Sequence, residues 1–291
     1  MKSIKYLMLA VASVFMLASC SDKDVDVDAP WNVVNNNQAQ VQIMYYTSVV
    51  GNAANNVYKI ELAGQVLENN GAAMITPYNG APGGSTGLFY TIPAGKNHVT
   101  LWGKTQDPNK AKTDSIYFDK DFTVEGGKKY QVFMSTADAD PVLIEVGTIP
   151  TMITTDTGEY AAARLYNFMW ETPGVPFGKK IQLFVQDSNT KEYLPMGKPV
   201  GFGEATEWLL IPIHKTIFNS SGYQRIEIDY KVVEDDGTLV DLEYMNSKGT
   251  MQPKFTDYFS TVYIGRGYCW ILQGTRAATT KSITTTAWTL R

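Results

Sequence analysis

Paired carboxylates are the first residue types in this sequence that could perform acid–base chemistry. Glu204 and Glu207 lie three residues apart, and Asp235-Asp236-Gly237 forms a polar triplet between two β-prone runs. Two carboxyl groups that flank a glycosidic bond perform glycoside hydrolysis, and their separation in space decides the stereochemistry. Spacing along the chain does not set that separation, and Asp-Asp-Gly is also typical of a hairpin turn. We therefore predict no catalytic residue here and keep a glycosidase or other hydrolase as an alternative.

The chain has few of the residues that form nucleophile–base pairs or metal sites. The two histidines, His98 and His214, are each predicted at a strand edge or turn. Gly-Gly-Ser-Thr-Gly at residues 83–87 has the Gly-x-Ser-x-Gly spacing, but it lies in a glycine-rich stretch that opens no predicted helix, so we interpret it as a flexible loop rather than a nucleophile elbow. The sequence contains no His-Glu-x-x-His zinc motif. Residues 21–28 hold aspartates at calcium-ligand spacing, but a valine replaces the glycine that the calcium loop needs. We predict no metal site and no cofactor.

Aromatic side chains are the remaining candidates for ligand contact. The chain has 6 tryptophans and 17 tyrosines, most of which we expect in the protein core. Trp31 and Trp170 fall in predicted loops or strand ends, so we name these two as candidate ligand-binding residues. An aromatic ring offers an apolar face on which a sugar can stack.

The N-terminus carries the clearest functional signal. Lys2 and Lys5 precede an uncharged run at residues 6–18. That run is too short to cross a ~30 Å hydrocarbon core as a helix, and it is typical of a secretory signal peptide. It ends in Leu-Ala-Ser-Cys at residues 17–20, which resembles the lipobox of bacterial lipoproteins. The resemblance implies cleavage before Cys20 and acylation of that residue, and two or more acyl chains give stable membrane anchoring.

The stretch after Cys20 is acidic and lacks any strand pattern. It resembles the acidic segment that sends some Gram-negative lipoproteins to the cell surface. Ser21 stands where the inner-membrane retention signal has an aspartate. The resemblance therefore implies an outer-membrane lipoprotein at the cell surface.

Composition restricts the remaining classes. The chain has 291 residues, is 44% hydrophobic and 19% charged, and carries a formal net charge of -4. At roughly 100–200 residues per domain, this length favours two domains. No Lys/Arg block offers a binding surface for nucleic acid. Once Cys20 is lipidated, Cys269 has no intrachain disulfide partner, and its apolar surroundings predict a buried structural thiol.

Beyond residue 38, short β-prone runs alternate with turn clusters rich in Gly, Pro, Asn and Asp. No window carries a sustained helical stripe of apolar residues. The predicted strands are residues 41–46, 57–62, 88–92, 98–102, 115–124, 129–134, 142–146, 163–168, 181–186, 208–213, 224–233, 239–242, 260–264, 268–274 and 282–288. This pattern predicts an all-β protein built of two tandem antiparallel β-sandwich domains, immunoglobulin-like in type.

Short internal matches predict that the two halves are repeats. Tyr-Thr-Ile-Pro at residues 90–93 matches Leu-Leu-Ile-Pro at 209–212. A Thr-Val pair precedes Tyr130 at the same distance as another precedes Tyr268. The predicted organisation is a signal peptide (1–19), a lipidated acidic tether (20–38), a first sandwich (39–148), a linker (149–161) and a second sandwich (162–291).

Two motifs of the first half resemble those of a known family. Ala-Gln-Val at residues 39–41 opens this half, and Ile-Pro-Ala-Gly at 92–95 precedes a valine-containing strand. Both are similar to features of a family of bacterial extracytoplasmic domains of unknown function, which are β-sandwiches often found in tandem. In the second half, Pro-Ile-His at residues 212–214 replaces Pro-Ala-Gly. The resemblance implies a fold and no reaction.

Together these features predict a lipid-anchored protein of the outer membrane and cell surface with a non-catalytic adhesion or ligand-binding role. The expected partners are the membrane, through Cys20, and a glycan or a surface protein, with no nucleic acid. A fimbrial or other surface-assembly subunit is the first alternative, with residues 279–291 as the strand donated to a neighbour. A hydrolase is the second.

Overall fold

The computed structural model of the chain describes residues 35–47, 56–69, 72–73, 81, 88–104, 114–136, 138–154, 158–213, 223–279 and 283–290. The predictions for Cys20, Trp31 and His214 lie outside these residues. Residues 35–291 belong to one compact unit.

Every helix or strand assigned within the described ranges is a β-strand, which confirms the predicted all-β class. Those ranges contain no helix that is long and apolar enough to span a bilayer. The strands of the first half are β1 (Gln38–Tyr45), β2 (Lys59–Leu62), β3 (Gln65–Val66), β4 (Glu68–Asn69), β5 (Ala72–Ala73), β6 (Tyr90–Pro93), β7 (Gly95–Lys104), β8 (Asp114–Val124), β9 (Lys129–Met134) and β10 (Val142–Glu145).

The second half begins with the longest strand of the described chain. Its strands are β11 (Ile153–Thr154), β12 (Gly158–Thr172), β13 (Val175–Pro176), β14 (Lys180–Gln186), β15 (Tyr193–Val200), β16 (Glu204–Ala205), β17 (Leu209–Pro212), β18 (Gln224–Val233), β19 (Leu239–Asp241), β20 (Tyr244–Met245), β21 (Met251–Gln252), β22 (Thr256–Val262), β23 (Gly267–Thr275) and β24 (Thr284–Leu290).

Both halves have the same sheet topology. In the first half, one sheet runs β10-β9-β1-β6 and the other β3-β2-β7-β8. In the second half, β24-β23-β12-β17 corresponds to the former sheet, and β15-β14-β18-β22 to the latter. Most ladders are antiparallel, as predicted. The unpredicted feature is one parallel pair per half, β1 with β9 and β12 with β23.

The pairing registers support the predicted internal repeat residue by residue. Ile92 pairs with Ala39, and Ile211 pairs with Ala161. On the other side of the same strands, Val41 pairs with Tyr130, and Ala163 pairs with Tyr268. Ala39 and Ala161 therefore occupy equivalent positions, as do Tyr130 and Tyr268.

The two equivalent tyrosines also make the same hydrogen bond. The Tyr130 hydroxyl accepts a hydrogen bond from the Glu125 amide at 3.4 Å, and the Tyr268 hydroxyl accepts one from the Tyr263 amide at 2.9 Å. In each case the donor lies five residues before the tyrosine. A tyrosine that bonds back in this way fixes the turn before its own strand, as in other β-sandwiches.

Each sandwich closes over its own apolar core. Alternate residues of a strand point to opposite sheet faces, so an alternating pattern buries one face. Val41, Leu101 and Val132 are among the fully buried residues of the first core. Leu183 and Trp270 are among those of the second core.

A third apolar cluster joins the two sandwiches. The sheets that contain β1 and β9 in one half, and β12 and β23 in the other, pack against each other through faces that point away from their own cores. Phe133 stacks on Phe168 with ring centroids 4.2 Å apart. The Trp208 indole donates a hydrogen bond to the Val146 carbonyl at 2.7 Å, and the Trp288 indole donates one to the Tyr46 hydroxyl. Within the unit formed by residues 35–291, the two sandwiches therefore stack four main sheets.

Equivalent residues of the two halves meet in this interface. Gln131 and Cys269 follow the matched tyrosines, and Gln131 Nε2 lies 3.5 Å from Cys269 Sγ. Tyr46 and Phe168 are likewise equivalent, since each lies seven residues after the matched alanine, and their ring centroids are 6.5 Å apart. Contact between equivalent positions is what a local two-fold axis produces. Cys269 is fully buried there, which confirms the predicted structural thiol.

The observed strands depart from the sequence prediction most clearly at two places. The predicted linker at residues 149–161 overlaps β12, which begins at Gly158, and Ala161 is already fully buried. The sequence also missed β15, because Pro195 and Pro199 disfavour a strand. Strand β15 lies at the edge of its sheet. A proline has no N–H donor, and on the unpaired side of an edge strand that lack breaks no inter-strand hydrogen bond. The domain boundaries themselves stay a prediction.

Candidate ligand-binding groove

A groove opens along one seam of the second sandwich, between the edge strands β22 and β24. Its volume is about 350 Å³, which falls within the ~300–1,000 Å³ of typical small-molecule sites. The bottom is formed by Ile228 and Trp270, and the mouth by Tyr263 and Arg266. Threonines of both edge strands line the walls.

The groove exists because β24 is polar on the face that a closed sandwich would make apolar. Trp288 and Leu290 point to the first sandwich and belong to the interface cluster. The alternate residues Thr285, Ala287 and Thr289 therefore face the core of their own sandwich. Ala287 pairs with Trp270, so a small side chain stands beside the largest one in this core. These small and hydroxyl-bearing residues leave the seam unfilled.

Hydrogen bonds hold the two walls and the floor in place. The Trp270 indole on β23 donates a hydrogen bond to the Ser260 hydroxyl on β22 at 3.0 Å. The hydroxyls of Tyr230 on β18 and Thr285 on β24 lie 2.6 Å apart and so connect the two sheets. These buried polar groups therefore have hydrogen-bond partners within the protein, and the floor needs no ligand to supply them.

The mouth of the groove carries an aromatic and cationic stack. The Arg266 guanidinium carbon lies 4.1 Å from the centroid of the Tyr263 ring, and the Tyr223 ring meets Tyr263 edge-on at 5.8 Å. Tyr263 is half-buried and Arg266 is exposed, whereas Trp270 is fully covered. A ligand would therefore contact mainly Tyr263, Arg266 and the threonine walls.

The turn that presents Tyr263 and Arg266 is rigidly attached. Gly265 has a φ of 73°, a value that favours glycine, and its amide donates to the Tyr160 carbonyl at 2.9 Å. The Arg266 carbonyl accepts a hydrogen bond from the Ala162 amide at 3.0 Å. Burial raises the pKa of Tyr268, which keeps its hydroxyl neutral as the acceptor for the Tyr263 amide. The stack is therefore held in place before any ligand arrives.

The chemistry of the groove suits binding. Hydroxyls of Thr261 and Thr289 can donate and accept hydrogen bonds, and the half-buried Tyr263 ring offers apolar surface beside the Arg266 guanidinium that lies over it. Within the described ranges, the residues that line the groove include no Asp, Glu, His or Cys. The groove thus brings together hydrogen-bonding groups and a ring without a pair of acid–base groups.

The prediction that Trp170 lies in a loop is wrong. Trp170 is part of β12 and only 2% exposed, and its ring packs edge-on against Phe202 with centroids 4.7 Å apart. The aromatic and apolar residues before it continue the strand because both of its faces are covered by protein. Trp170 therefore offers no free ring face for stacking on a ligand.

The other chemically interesting residues have local roles. A Glu204 carboxylate oxygen accepts a hydrogen bond from the Gly201 amide at 2.7 Å, as part of a turn. An Asp236 carboxylate oxygen accepts one from the Thr238 amide at 2.9 Å between β18 and β19, which confirms the hairpin-turn interpretation of Asp-Asp-Gly. None of the described residues form a cluster of three or more His, Cys, Asp or Glu side chains that could hold a metal ion.

His98 lies on β7, within the strand predicted at residues 98–102. Its ring nitrogens lie 2.7 Å from Asp121 and 2.8 Å from Asp119, on the solvent-facing side of the sheet. Hydrogen bonds to Asp121 and Asp119 raise the pKa of His98. This cluster lies in the first sandwich and takes no part in the groove.

Sequence reasoning missed the residues at the mouth of the groove. Tyr-Ile-Gly-Arg-Gly-Tyr at residues 263–268 places an arginine between two glycines in a tight turn, flanked by tyrosines. That pattern could have marked an exposed arginine and aromatic pair. The groove itself depends on how β22 and β24 lie relative to each other, which no local pattern encodes.

Comparisons with known proteins give no family for this chain. It matches no protein-family model, and no curated protein matches its sequence. The resemblance of the first half to the extracytoplasmic domain family therefore stays a prediction.

Solved structures give distant matches. One is a candidate cell adhesion protein from Bacteroides uniformis, with 9% identity, coverage of 86% of this chain and 96% of that chain, and a TM-score of 0.25. A second candidate cell adhesion protein, from Parabacteroides distasonis, has 9% identity, coverage of 88% and 100%, and a TM-score of 0.22. A leucine-rich repeat protein from Bacteroides thetaiotaomicron has 10% identity, coverage of 82% and a TM-score of 0.23, and the chain spans 26% of its length. At these values the likeness carries no argument about function.

Proposed function

We propose that this protein is a non-catalytic binding protein of the bacterial cell surface and that its groove holds a saccharide. The observation that carries the proposal is the rigid turn that places the Tyr263 ring and the Arg266 guanidinium over threonine-lined walls. A sugar has C–H faces that stack on aromatic rings and hydroxyls that bond to other hydroxyls. Both kinds of group are present on the accessible part of the groove.

The same proposal includes the absence of catalysis. Hydrolysis of a glycoside needs an acid and a base or nucleophile on either side of the bond. The groove lining within the described ranges supplies no carboxylate, so nothing in it favours the hydrolase alternative. Release of reducing sugar from a glycan panel by the purified protein would contradict this part.

The proposed location is the outer membrane, with Cys20 as the lipid anchor. Its support is the lipobox-like Leu-Ala-Ser-Cys segment at residues 17–20. Cys20→Ala should abolish incorporation of labelled fatty acid and release the protein from the membrane fraction. Protease accessibility on intact cells should then distinguish the outer from the inner leaflet. Continued acylation of the variant would contradict the anchor.

A glycan array tests the binding proposal directly. The mature chain should bind a subset of glycans, and Tyr263→Ala should weaken that binding by more than about 1 kcal/mol, or roughly fivefold, because it removes the stacking face. Tyr193→Ala is the matched control, since Tyr193 is a half-buried tyrosine on the outer sheet of the same sandwich. Equal losses in both variants, or binding that Tyr263→Ala leaves unchanged, would overturn the groove as the site.

The assembly alternative loses its proposed donor strand. Residues 284–290 of the predicted donor form β24, which pairs with β23 over seven residues within its own sandwich. Trp288 and Leu290 of this strand also belong to the interface between the sandwiches. Donation to a neighbouring molecule would have to break both sets of contacts. Absence of concentration-dependent polymerisation is therefore the expected result in light scattering.

A further inference from the structure

We infer that the saccharide bound in the groove is acidic and that Arg266 binds its carboxylate, as in a sialic or uronic acid residue. The inference rests on the proposed function and names the ligand class. Two independent observations at the mouth of the groove lead to this inference. Among the described residues, Arg266 has no acidic partner, and the walls around it have a particular composition.

The first observation is that Arg266 is charged and has no acidic partner. Among the ion pairs formed between described residues, none involves Arg266. Arg276, by comparison, makes two contacts with the Glu171 carboxylate, at 2.7 and 2.6 Å. In a chain of net charge -4, an arginine without a carboxylate partner is an available site for an anion.

The second observation is that Arg266 is the charged residue of the groove lining. The other lining residues within the described ranges are apolar, aromatic or hydroxyl-bearing. Among these described lining residues, an anion that enters the groove therefore meets one cation and no repelling carboxylate. Partly enclosed walls also strengthen the attraction relative to open solvent, because the effective dielectric constant is lower there.

The guanidinium is positioned in advance for this contact. The central carbon of the guanidinium lies 4.1 Å from the centroid of the Tyr263 ring, and the Arg266 carbonyl accepts a hydrogen bond from the Ala162 amide of β12. A planar guanidinium meets a planar carboxylate through two parallel hydrogen bonds, so less conformational freedom is lost on binding. The two-bond contact of one guanidinium with a carboxylate is therefore the contact that we assign, and a sulfated probe tests the competing anion.

The groove volume is consistent with a terminal sugar. A space of about 350 Å³ lies at the lower end of the ~300–1,000 Å³ typical of ligand pockets. We therefore expect one terminal acidic residue to enter, with its hydroxyls toward the walls of Thr261 and Thr289. The rest of the glycan would remain in solvent.

The test compares three immobilised probes: a sialyl oligosaccharide, its methyl ester, in which the carboxylate charge is removed, and the desialylated oligosaccharide, which lacks the acidic residue. A parallel set uses a uronic acid disaccharide, its methyl ester and the neutral disaccharide, and sulfated forms make the last arm. The mature wild-type chain, Tyr263→Ala, Arg266→Gln and the control Arg225→Gln are measured on each. Arg225 is an exposed arginine of β18, outside the groove lining.

The expected result is at least tenfold tighter binding of one acid than of its methyl ester. Arg266→Gln should remove that difference, and Arg225→Gln should keep it. Equal binding of acid and ester, or tightest binding of the sulfated probe, overturns the carboxylate assignment, while loss of binding in Tyr263→Ala still supports the groove. If the wild-type chain binds none of these glycans, the proposed function is overturned as well.

Discussion

Phe133 of the first sandwich stacks on Phe168 of the second, with nearly parallel rings at 4.2 Å and an interplanar angle of 17°. Phe133 is fully buried and Phe168 is 1% exposed. The pair lies in the apolar cluster between the halves, so neither ring belongs to the core of a single sandwich. This contact makes the stability of each half depend on the presence of the other.

Phe133→Ala should therefore destabilise the whole molecule. Removing a buried phenylalanine costs about 3–5 kcal/mol, through lost burial and the cavity that remains. Chemical denaturation followed by tryptophan fluorescence should show one transition at a lower midpoint. Ile116→Ala is the control, since Ile116 is 57% exposed and should change stability little. Two separate transitions in wild type would show that the halves unfold independently.

Trp170→Ala should behave as a core substitution. The buried ring packs against Phe202, so its removal should cost about 3–5 kcal/mol of unfolding free energy. Glycan affinity, measured well below the melting temperature of the variant, should stay within twofold of wild type. A stable variant with weakened binding would restore Trp170 as a ligand-binding residue.

His98 should make the first sandwich sensitive to pH. Hydrogen bonds to Asp121 and Asp119 raise the pKa of His98 above its ordinary 6.5. A raised folded-state pKa gives a stabilisation that is complete below the unfolded-state pKa and is lost as the pH rises through the folded-state value. The free-energy advantage of wild type over His98→Gln should therefore shrink as the pH rises above the ordinary histidine pKa of about 6.5. An advantage that grows over this range would contradict the ion-pair geometry.

At the acid end, the same cluster acts in the opposite sense. The pKa of Asp121 is lowered first by its hydrogen bond to Lys96 and then by His98, and that of Asp119 first by Thr100 and then by His98. Their stabilisation is present above the ordinary carboxyl pKa and is lost as the pH falls through the lowered values. In NMR titration, Asp121→Asn should lower the pKa of His98, while Asp236→Asn, a change in the β18–β19 hairpin, should leave it unchanged.

Cys269 should be inert in the folded protein. Its thiol is fully buried, and burial raises its pKa, so little reactive thiolate is available. In Cys20→Ala protein, Cys269 is the remaining cysteine of the chain. A thiol reagent at mildly alkaline pH should label this variant only after denaturant is added. Rapid labelling without denaturant would show that the interface between the sandwiches opens readily.

The sequence predicted the strands well because strand identity is largely local. Lys129–Met134 and Gln224–Val233 are observed with the predicted bounds. The interface between the halves was not predictable in the same way. Residues of β23 such as Cys269 and Trp270 are buried on both faces, and an apolar run tells only that both faces are covered. What covers the second face depends on the docking of a distant sheet.

The groove shows the same limit for the binding site. Tyr263 and Arg266 lie three residues apart in one turn, so their contact is local. The sequence analysis nevertheless named neither as a ligand-binding residue. The open seam depends on Thr285 and Ala287 lying opposite β22, more than twenty residues away. Trp170 was chosen because the turn signal that follows it suggested a loop. The strand continues to Thr172, so the ring stays inside.

The contact of Gln131 with Cys269, its own equivalent, has a consequence for assembly. Two separate sandwiches joined by such a face would form a symmetric dimer, and dilution would separate them below the dissociation constant. Joined in one chain, the second face is present at an effective concentration that reaches the millimolar range for short connections. The pairing then no longer depends on how much protein is present. At the proposed cell-surface location, one half therefore cannot diffuse away from the other.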